Sequence, residues 1–207
     1  MLEWIIKGGP VMIPILLCSV LAFAIIIERF LYLQKAKIDT KKFMDDISTS
    51  LKRNRIMEAI DMCEQTPGPI ADILKAGILK HDRTRYEIKE AIEDAGLHEI
   101  PKLEKNVGLL ATIAHIAPLL GLLGTVTGMV NAFQVVQEKS TTLNPVSPAD
   151  LAGGIWEALI TTVAGLIVAI PTLATYNYFV SRVNNFILEI ETSATDLINI
   201  LSEKRGE

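Results

Sequence analysis

The stretch GGIWEALITTVAG, residues 153 to 165, places one carboxylic acid and two threonines inside an otherwise apolar run. A carboxylate can attract or pass a cation, and hydroxyls can bond across a helix interface or line a wet cavity. Placing an acid within a membrane span costs about 3 kcal/mol or more in free energy, so the presence of Glu157 in this run indicates an ion path. The alternative is a shallow position near the membrane surface, because Glu157 lies only about 15 Å along the helix from Ser147.

Small and polar residues collect on one side of this helix when it is projected at about 100° per residue. That side holds Gly154, Glu157, Ala158, Thr161, Thr162, Gly165, Ala169, Thr172 and Thr175. The other side holds Trp156, Leu159, Ile160, Val163, Leu166, Ile167 and Ile170. This pattern predicts one side that faces lipid and one that faces protein or water.

The preceding apolar segment repeats the design. One face carries Gly121, Thr125, Gly128 and Ala132, with Gly124 beside it and with Pro118 and Ala114 continuing it. Small residues four apart let membrane helices approach closely, so we expect the two small-residue faces to meet each other or a partner. Ordinary helix packing is the alternative for the glycines, and a bond to the preceding turn is the alternative for the threonines.

Three other residues could take part in transport. His115 suggests a proton relay, although a satisfied structural histidine is the more frequent role for such a residue. Pro118 and Pro171 free backbone carbonyls, and they indicate either static kinks or flexible points. The sequence has no phosphate-binding glycine loop, no histidine pair with metal spacing and no Gly-x-Ser-x-Gly motif. We therefore expect neither an enzyme nor a bound cofactor or metal.

The charge distribution predicts the elements that hold these residues. Half of the 207 residues are hydrophobic although 21% are charged, and no charge falls within 11–27, 106–137 or 158–181. Each run reaches or approaches the roughly 20 residues that a helix needs to cross a bilayer. The fold class is therefore an all-α membrane protein with three transmembrane helices. The net charge of −4 gives no reason to expect nucleic-acid binding.

Basic residues predict the orientation. They cluster after the first run and before the second, whereas only Lys139 lies between the second and third. The positive-inside rule then puts the N-terminus outside and the C-terminus in the cytoplasm. The predicted order is an outer N-terminus (1–9), a first span (10–33), a cytoplasmic helical lobe (34–105), a long helix with the second span (106–136), an outer loop (137–147), and a long helix with the third span and a cytoplasmic tail (148–205).

Helical periodicity continues outside the spans. The lobe repeats apolar residues at Phe43, Ile47, Leu51, Ile70, Ile73, Leu74 and Ile78, and QTPGP at 65–69 predicts a turn. Ser147 is the predicted N-cap of the third long helix, and Pro148 is its predicted first residue. Its tail carries an apolar stripe for packing on other helices, at Phe186, Ile190, Leu197 and Leu201. Cys18 and Cys63 lie too far apart in this scheme for a disulfide, so two reduced thiols are expected.

The segments PLLGLLGTVTGMVNAF (118–133) and AGGIWEALITTVAGLIVAIP (152–171) together resemble the ExbB/TolQ/MotA family of ion-channel and motor subunits, most closely its ExbB/TolQ branch. The resemblance covers most of the chain. It implies a homopentamer in the bacterial inner membrane around a dimer of a single-span ExbD/TolR-like partner with a membrane aspartate. A TonB/TolA-like protein would be a further partner.

By the same resemblance, proton flow through the partner's aspartate would drive mechanical work in the cell envelope. The family's pore-facing threonines correspond to Thr125 and Thr162, its third-helix glutamate to Glu157, and the MotA-branch prolines to Pro118 and Pro171. Glu157 would act in entrance electrostatics or proton handling, and the glycines would act in packing.

Two departures from the family pattern keep the coupling ion open between H⁺ and Na⁺. Thr127 stands where ExbB and TolQ members commonly have an aromatic residue, and Thr161 adds a hydroxyl beside Thr162, which could coordinate a sodium ion. The alternatives to the envelope motor are a MotA-like motility stator, a self-contained channel or transporter, and a scaffold whose glycine faces serve assembly alone.

Overall fold

A computed structural model of the protein describes residues 8–141 and 147–203. Every regular element in these ranges is a helix, which confirms the all-α prediction for them. In chain order the helices are α1 (Met12–Ala36), α2 (Thr40–Lys52), α3 (Ile56–Gln65), α4 (Pro69–Leu79), α5 (Arg85–Glu104), α6 (Val107–Thr141) and α7 (Pro148–Glu203).

The chain divides into two compact units, and the boundary falls inside α1 and α7. The first, which we call the apolar unit, combines residues 8–27, 106–141 and 147–178. The second, the charged unit, combines residues 28–105 and 179–203. The names follow from composition, because the first holds four charged residues, Glu138, Lys139, Asp150 and Glu157.

The apolar unit contains the candidate spans. Three helical segments of the described chain are long and apolar enough to cross a membrane. Many of their large side chains face outward, such as Phe23, Leu119, Phe133, Leu159 and Ile167, each more than 60% exposed. An exposed apolar surface of this extent suits lipid or other membrane helices. The protein is therefore a membrane protein with three apolar helices, as predicted.

The start of α1 packs on α6 and α7 inside the apolar unit. Met12 and Ile15 are buried there, and Leu120 of α6 and Ala164 of α7 lie against them. Ile160 is only 7% exposed, so its predicted place on the lipid-facing side is wrong. A helix wheel describes one helix and could not include the chain before α1, which lies beside Ile160 at Gly8.

The charged unit is a helical lobe around an aliphatic core. All the apolar residues predicted from its periodicity are buried, including Ile47, Leu51 and Leu74, which have no exposed surface. The stripe on the α7 tail is buried as well. Leu197 of this stripe lies against Gly77 of α4, where an added methyl group would come within 3.1 Å of the Leu197 side chain. The predicted packing of the tail on other helices is therefore confirmed.

Local sequence signals account for the boundaries of these shorter helices. α3 ends at Gln65 and α4 begins with Pro69 at its first position, so the turn predicted from QTPGP is confirmed. At the start of α5, the Thr84 hydroxyl accepts from the Glu87 backbone N–H while the Glu87 carboxylate accepts from the Thr84 backbone N–H. This reciprocal pair satisfies donors that a helix start leaves open.

Arg29 of α1 bonds to the end of α5. Its side chain is charged and yet only 2% exposed. Its Nη1 donates to the Lys102 carbonyl oxygen at 2.9 Å, and its Nε donates to Glu28 at 2.8 Å. The guanidinium also lies over the Tyr32 ring, 4.7 Å from its centre. A buried charge needs such partners, and here one of them is a carbonyl at a helix C-terminus that lacks a partner in its own helix.

Several helix ends differ from the predicted bounds. The first long helix runs to Ala36 rather than 33, and α6 continues to Thr141, past the predicted end at 136. α6 starts one residue later than predicted because Asn106 adopts a left-handed φ of 62° between α5 and α6. The predictions that concern 1–7, 142–146 and 204–205 lie outside the described residues.

Candidate ion-path interface

The small-residue faces of α6 and α7 meet inside the apolar unit as an antiparallel pair. A methyl group added at Gly165 would lie 2.6 Å from the Ala117 carbonyl oxygen, and one added at Gly128 would lie 2.6 Å from the Gly154 carbonyl oxygen. Both distances are too short for a real side chain against rigid backbone. The two backbones therefore touch, which only small residues allow.

Between these two points the contact continues without a gap. Gly121 lies against Thr161 and Thr162, where an added methyl group would be 3.0 Å from the Thr161 carbonyl oxygen. Gly124 faces the Thr161 side chain in the same way. The five glycines predicted to pack helices thus all lie on this one interface.

Thr161 lies within this interface. The residue has no exposed surface, and its hydroxyl donates to the carbonyls of Glu157 and Ala158 at 2.9 and 3.0 Å. Its hydroxyl is therefore used inside the chain, unlike the ion-path position expected for it.

Thr162 differs from its neighbour because it reaches across the interface. It is half-buried, and its hydroxyl lies 3.3 Å from the Gly121 carbonyl oxygen of α6 and 3.2 Å from the Ala158 carbonyl oxygen of its own helix. Gly121 precedes Thr125 by one helical turn, which puts Thr125 on the same side of α6. The two threonines therefore flank one close contact.

Thr125 and Thr127 bond to their own helix. The Thr125 hydroxyl donates to the Leu122 carbonyl at 2.6 Å, and the Thr127 hydroxyl lies 3.1 Å from the carbonyls of Leu123 and Gly124. Both are half-buried. Each hydroxyl oxygen still has lone pairs that can accept a hydrogen bond from water or from a protonated partner.

Glu157 lies at the Ala132 end of the interface and is half-buried. Asn131 of α6 donates its amide Nδ2 to Glu157 Oε2 at 3.4 Å. The side chain also rests on Gly9, the residue that precedes α1 by three positions. Reasoning from the sequence missed both neighbours, because neither a glycine outside the spans nor a single asparagine forms a pattern with Glu157.

His115 and the two prolines are the remaining residues predicted to take part in transport. His115 is exposed, and its Nδ1 lies 2.6 Å from the Ala111 carbonyl oxygen. Since a carbonyl only accepts, Nδ1 carries the proton and Nε2 is the ring's acceptor when the ring is neutral. Pro118 and Pro171 both occur inside continuous helices, with Pro118 half-buried and Pro171 exposed.

No cluster of side chains that could hold a metal ion occurs in residues 8–141 and 147–203. The geometry instead offers hydroxyls, one carboxylate and backbone carbonyls along a close helix pair. Groups of this kind can pass a proton between hydrogen-bonded sites.

Comparisons with known proteins identify the family of this chain. The chain matches the model of the MotA/TolQ/ExbB proton channel family over residues 65–192. It is 30% identical to a biopolymer transport protein ExbB homolog of Methanothermobacter thermautotrophicus, over 92% of this chain and 66% of that protein. It is 33% identical to the Tol-Pal system protein TolQ of Haemophilus influenzae, over 84% of this chain and 82% of that protein.

A third relative is the biopolymer transport protein ExbB of Salmonella typhimurium, which is 31% identical over 85% of this chain and 74% of that protein. The family match covers more than half of the 207 residues and includes α6 and most of α7. The chain therefore belongs to the MotA/TolQ/ExbB proton channel family, on its ExbB/TolQ branch.

Proposed function

We propose that this chain is the channel subunit of an inner-membrane motor that uses the proton motive force for mechanical work in the cell envelope. Five copies would surround a dimer of a single-span ExbD/TolR-like partner that carries a membrane aspartate. The N-terminus would face the periplasm, and the charged unit would lie in the cytoplasm. The relatives are named for biopolymer transport and for the Tol-Pal system. The work that we propose for this chain is energised import across the outer membrane or envelope maintenance.

The Thr162 hydroxyl is the observation on which the proposal rests. It is half-buried at the Gly121 contact of the α6 and α7 pair, with one carbonyl from each helix within 3.3 Å. A hydroxyl in this position can donate and accept at once, as a proton path requires. With Thr125 one turn from the Gly121 contact, it would offer the partner's aspartate a polar neighbour in an apolar wall.

The proton is the coupling ion that we propose, with sodium as the alternative. A sodium site would need several oxygen ligands that face one cavity. Thr161, the extra hydroxyl that raised the sodium possibility, has no exposed surface and is held by its own helix. We therefore restrict the proposed path to Thr125 and Thr162 and assign Thr161 to packing.

Affinity purification of the full-length chain from its native membrane tests the proposal first. We expect a small co-purifying protein with one span and an aspartate within it. The purified complex in liposomes should take up protons when a membrane potential is applied, and the chain alone should not. Comparable flux from the chain alone would favour a self-contained channel and would contradict the motor.

A further inference from the structure

Gly9 has a backbone that an ordinary residue rarely adopts, and Glu157 occupies the space beside it. Its φ is +66°, in the left-handed region that favours glycine. A Cβ at this position would lie 2.8 Å from Cδ and 3.4 Å from Cγ of Glu157. The glycine therefore serves two needs together, the turn into α1 and room for the carboxylate.

Asn131 approaches the same carboxylate from α6. Its amide Nδ2 lies 3.4 Å from Glu157 Oε2, the only side-chain donor to Glu157 given by the described part of the chain. One turn earlier, the tight contact of Gly128 with Ala158 sets the separation of the two helices at this level. The amide reaches Glu157 because the backbones touch there.

Three elements of the apolar unit therefore converge on one acid, namely the entry to α1, helix α6 and helix α7. We propose that Gly9 and Asn131 are positioning residues that hold the Glu157 carboxylate, and that this carboxylate seat (Gly9, Asn131 and Glu157) controls cation entry at that end of the path. The inference rests on the proposed proton path. The inference adds Gly9 and Asn131 as the groups that fix the position of the negatively charged Glu157 carboxylate.

The chemistry of the seat suits a cation that passes rather than one that stays. An amide donor satisfies one lone pair of a carboxylate, whose other lone pairs can still attract a cation. A single carboxylate oxygen pair with one amide lacks the six to eight oxygen ligands of a resident divalent ion. The seat would therefore raise the local cation concentration without trapping the ion.

A double-mutant cycle on proton flux tests the seat in the purified complex with its partner. Gly9→Ala should lower flux about tenfold, because a displacement near 1 Å of a functional group has effects of that order or more. Glu157→Asp withdraws the carboxylate by one methylene, so adding Gly9→Ala to Glu157→Asp should lower flux much less. Gly153→Ala is the matched control, because an added methyl there meets nothing within 4 Å.

The cycle separates positioning from backbone strain. Alanine at a left-handed position is strained whatever stands at residue 157. If Gly9→Ala lowered flux by the same factor with Glu157 and with Glu157→Asp, strain alone would explain the loss and the seat would be refuted. Full flux in Gly9→Ala would refute it as well.

A second cycle needs no ion flux and uses the melting temperature of the full-length chain in detergent. Gly9→Ala should lower the melting temperature more when Glu157 is present than in the Glu157→Ala background. Asn131→Ala should lower the melting temperature when Glu157 is present and should leave it unchanged in the Glu157→Ala background. Independent, additive shifts would overturn the seat. If the wild-type complex carried no protons, the proposed function would fail. The melting-temperature cycle would still test whether Gly9 and Asn131 position the Glu157 carboxylate.

Discussion

Thr161 and Thr162 are adjacent and chemically identical, yet their hydroxyls have different surroundings. Thr161 packs on Gly124 and bonds within its own helix, whereas Thr162 is half-buried and reaches the Gly121 carbonyl. The sequence placed both on the small, polar side of the helix, because a wheel resolves only the side. The difference between the two hydroxyls depends on the direction from which α6 approaches.

Cys63 is a second residue whose surroundings determine its chemistry. Burial in the charged unit raises the pKa of its thiol from 9.0 to about 11. Lys75 opposes this shift, while Asp72 and Glu64 add to it. Because the folded-state pKa is the higher one, folding stability from this group is complete below pH 9 and falls as the pH rises toward 11.

We predict that Cys63 resists alkylation in the folded protein. With a pKa near 11, about one thiol in a thousand is ionised at pH 8, and the thiolate is the reactive form. Iodoacetamide labelling in a Cys18→Ser background should be slow in mild detergent and fast after unfolding in dodecyl sulfate. Equal labelling rates in both states would contradict the burial of this thiol.

At the scale of elements, most of the fold could be predicted from the sequence. Charge-free runs indicated the three apolar helices, and the periodicity of the lobe identified its buried residues, because both patterns are local. The left-handed Asn106, the buried Ile160 and the Gly9 contact with Glu157 could not be predicted. Each of these depends on a neighbour that is distant in sequence.

The α6 and α7 pair should tolerate a methyl group at one glycine of α7 and not at another. Gly165→Ala would push a methyl to 2.6 Å from the Ala117 carbonyl oxygen, whereas Gly153→Ala meets nothing within 4 Å. Overpacking of this kind costs about 1–3 kcal/mol, and alanine in an open helical site gains up to about 1 kcal/mol. Thermal unfolding of the two variants in detergent measures the contrast, and equal stabilities would show that the backbones do not touch.

The cap of α5 predicts a pH effect in the charged unit. The pKa of Glu87 lies below its ordinary 4.5 because its carboxylate accepts hydrogen bonds from the Thr84 backbone N–H and hydroxyl. A lowered carboxyl pKa stabilises the fold above pH 4.5, and that stability is lost as the pH falls through the folded-state value. Thr84→Ala removes part of this contribution.

The measurement is the drop in melting temperature between pH 7 and pH 3. We expect a smaller drop in Thr84→Ala than in the wild type, because less pH-dependent stability remains to be lost. Thr84→Ser keeps the hydroxyl and should behave as the wild type does. An unchanged drop in Thr84→Ala would show that the capping pair has no role in acid sensitivity.

At the scale of the whole molecule, charge is segregated so that one unit suits a bilayer and the other suits water. The apolar unit carries the threonines, the glycine interface and Glu157, and the charged unit carries an aliphatic core with the tail of α7 in it. Glu157 of α7 accepts a hydrogen bond from the Asn131 side chain of α6. In the proposed complex this chain would supply the walls of the ion path and one carboxylate, and the partner would supply the aspartate.

The most direct test of this account compares Thr162→Ala with Thr162→Ser in the purified complex. Proton uptake into liposomes under an applied membrane potential is the measurement, with assembly checked by co-purification of the partner. The account predicts that Thr162→Ala assembles normally and loses about tenfold in flux, which corresponds to roughly 1.4 kcal/mol in a barrier. Thr162→Ser, which keeps the hydroxyl, should retain most of the flux. Wild-type flux in an assembled Thr162→Ala complex would contradict the proposed proton path.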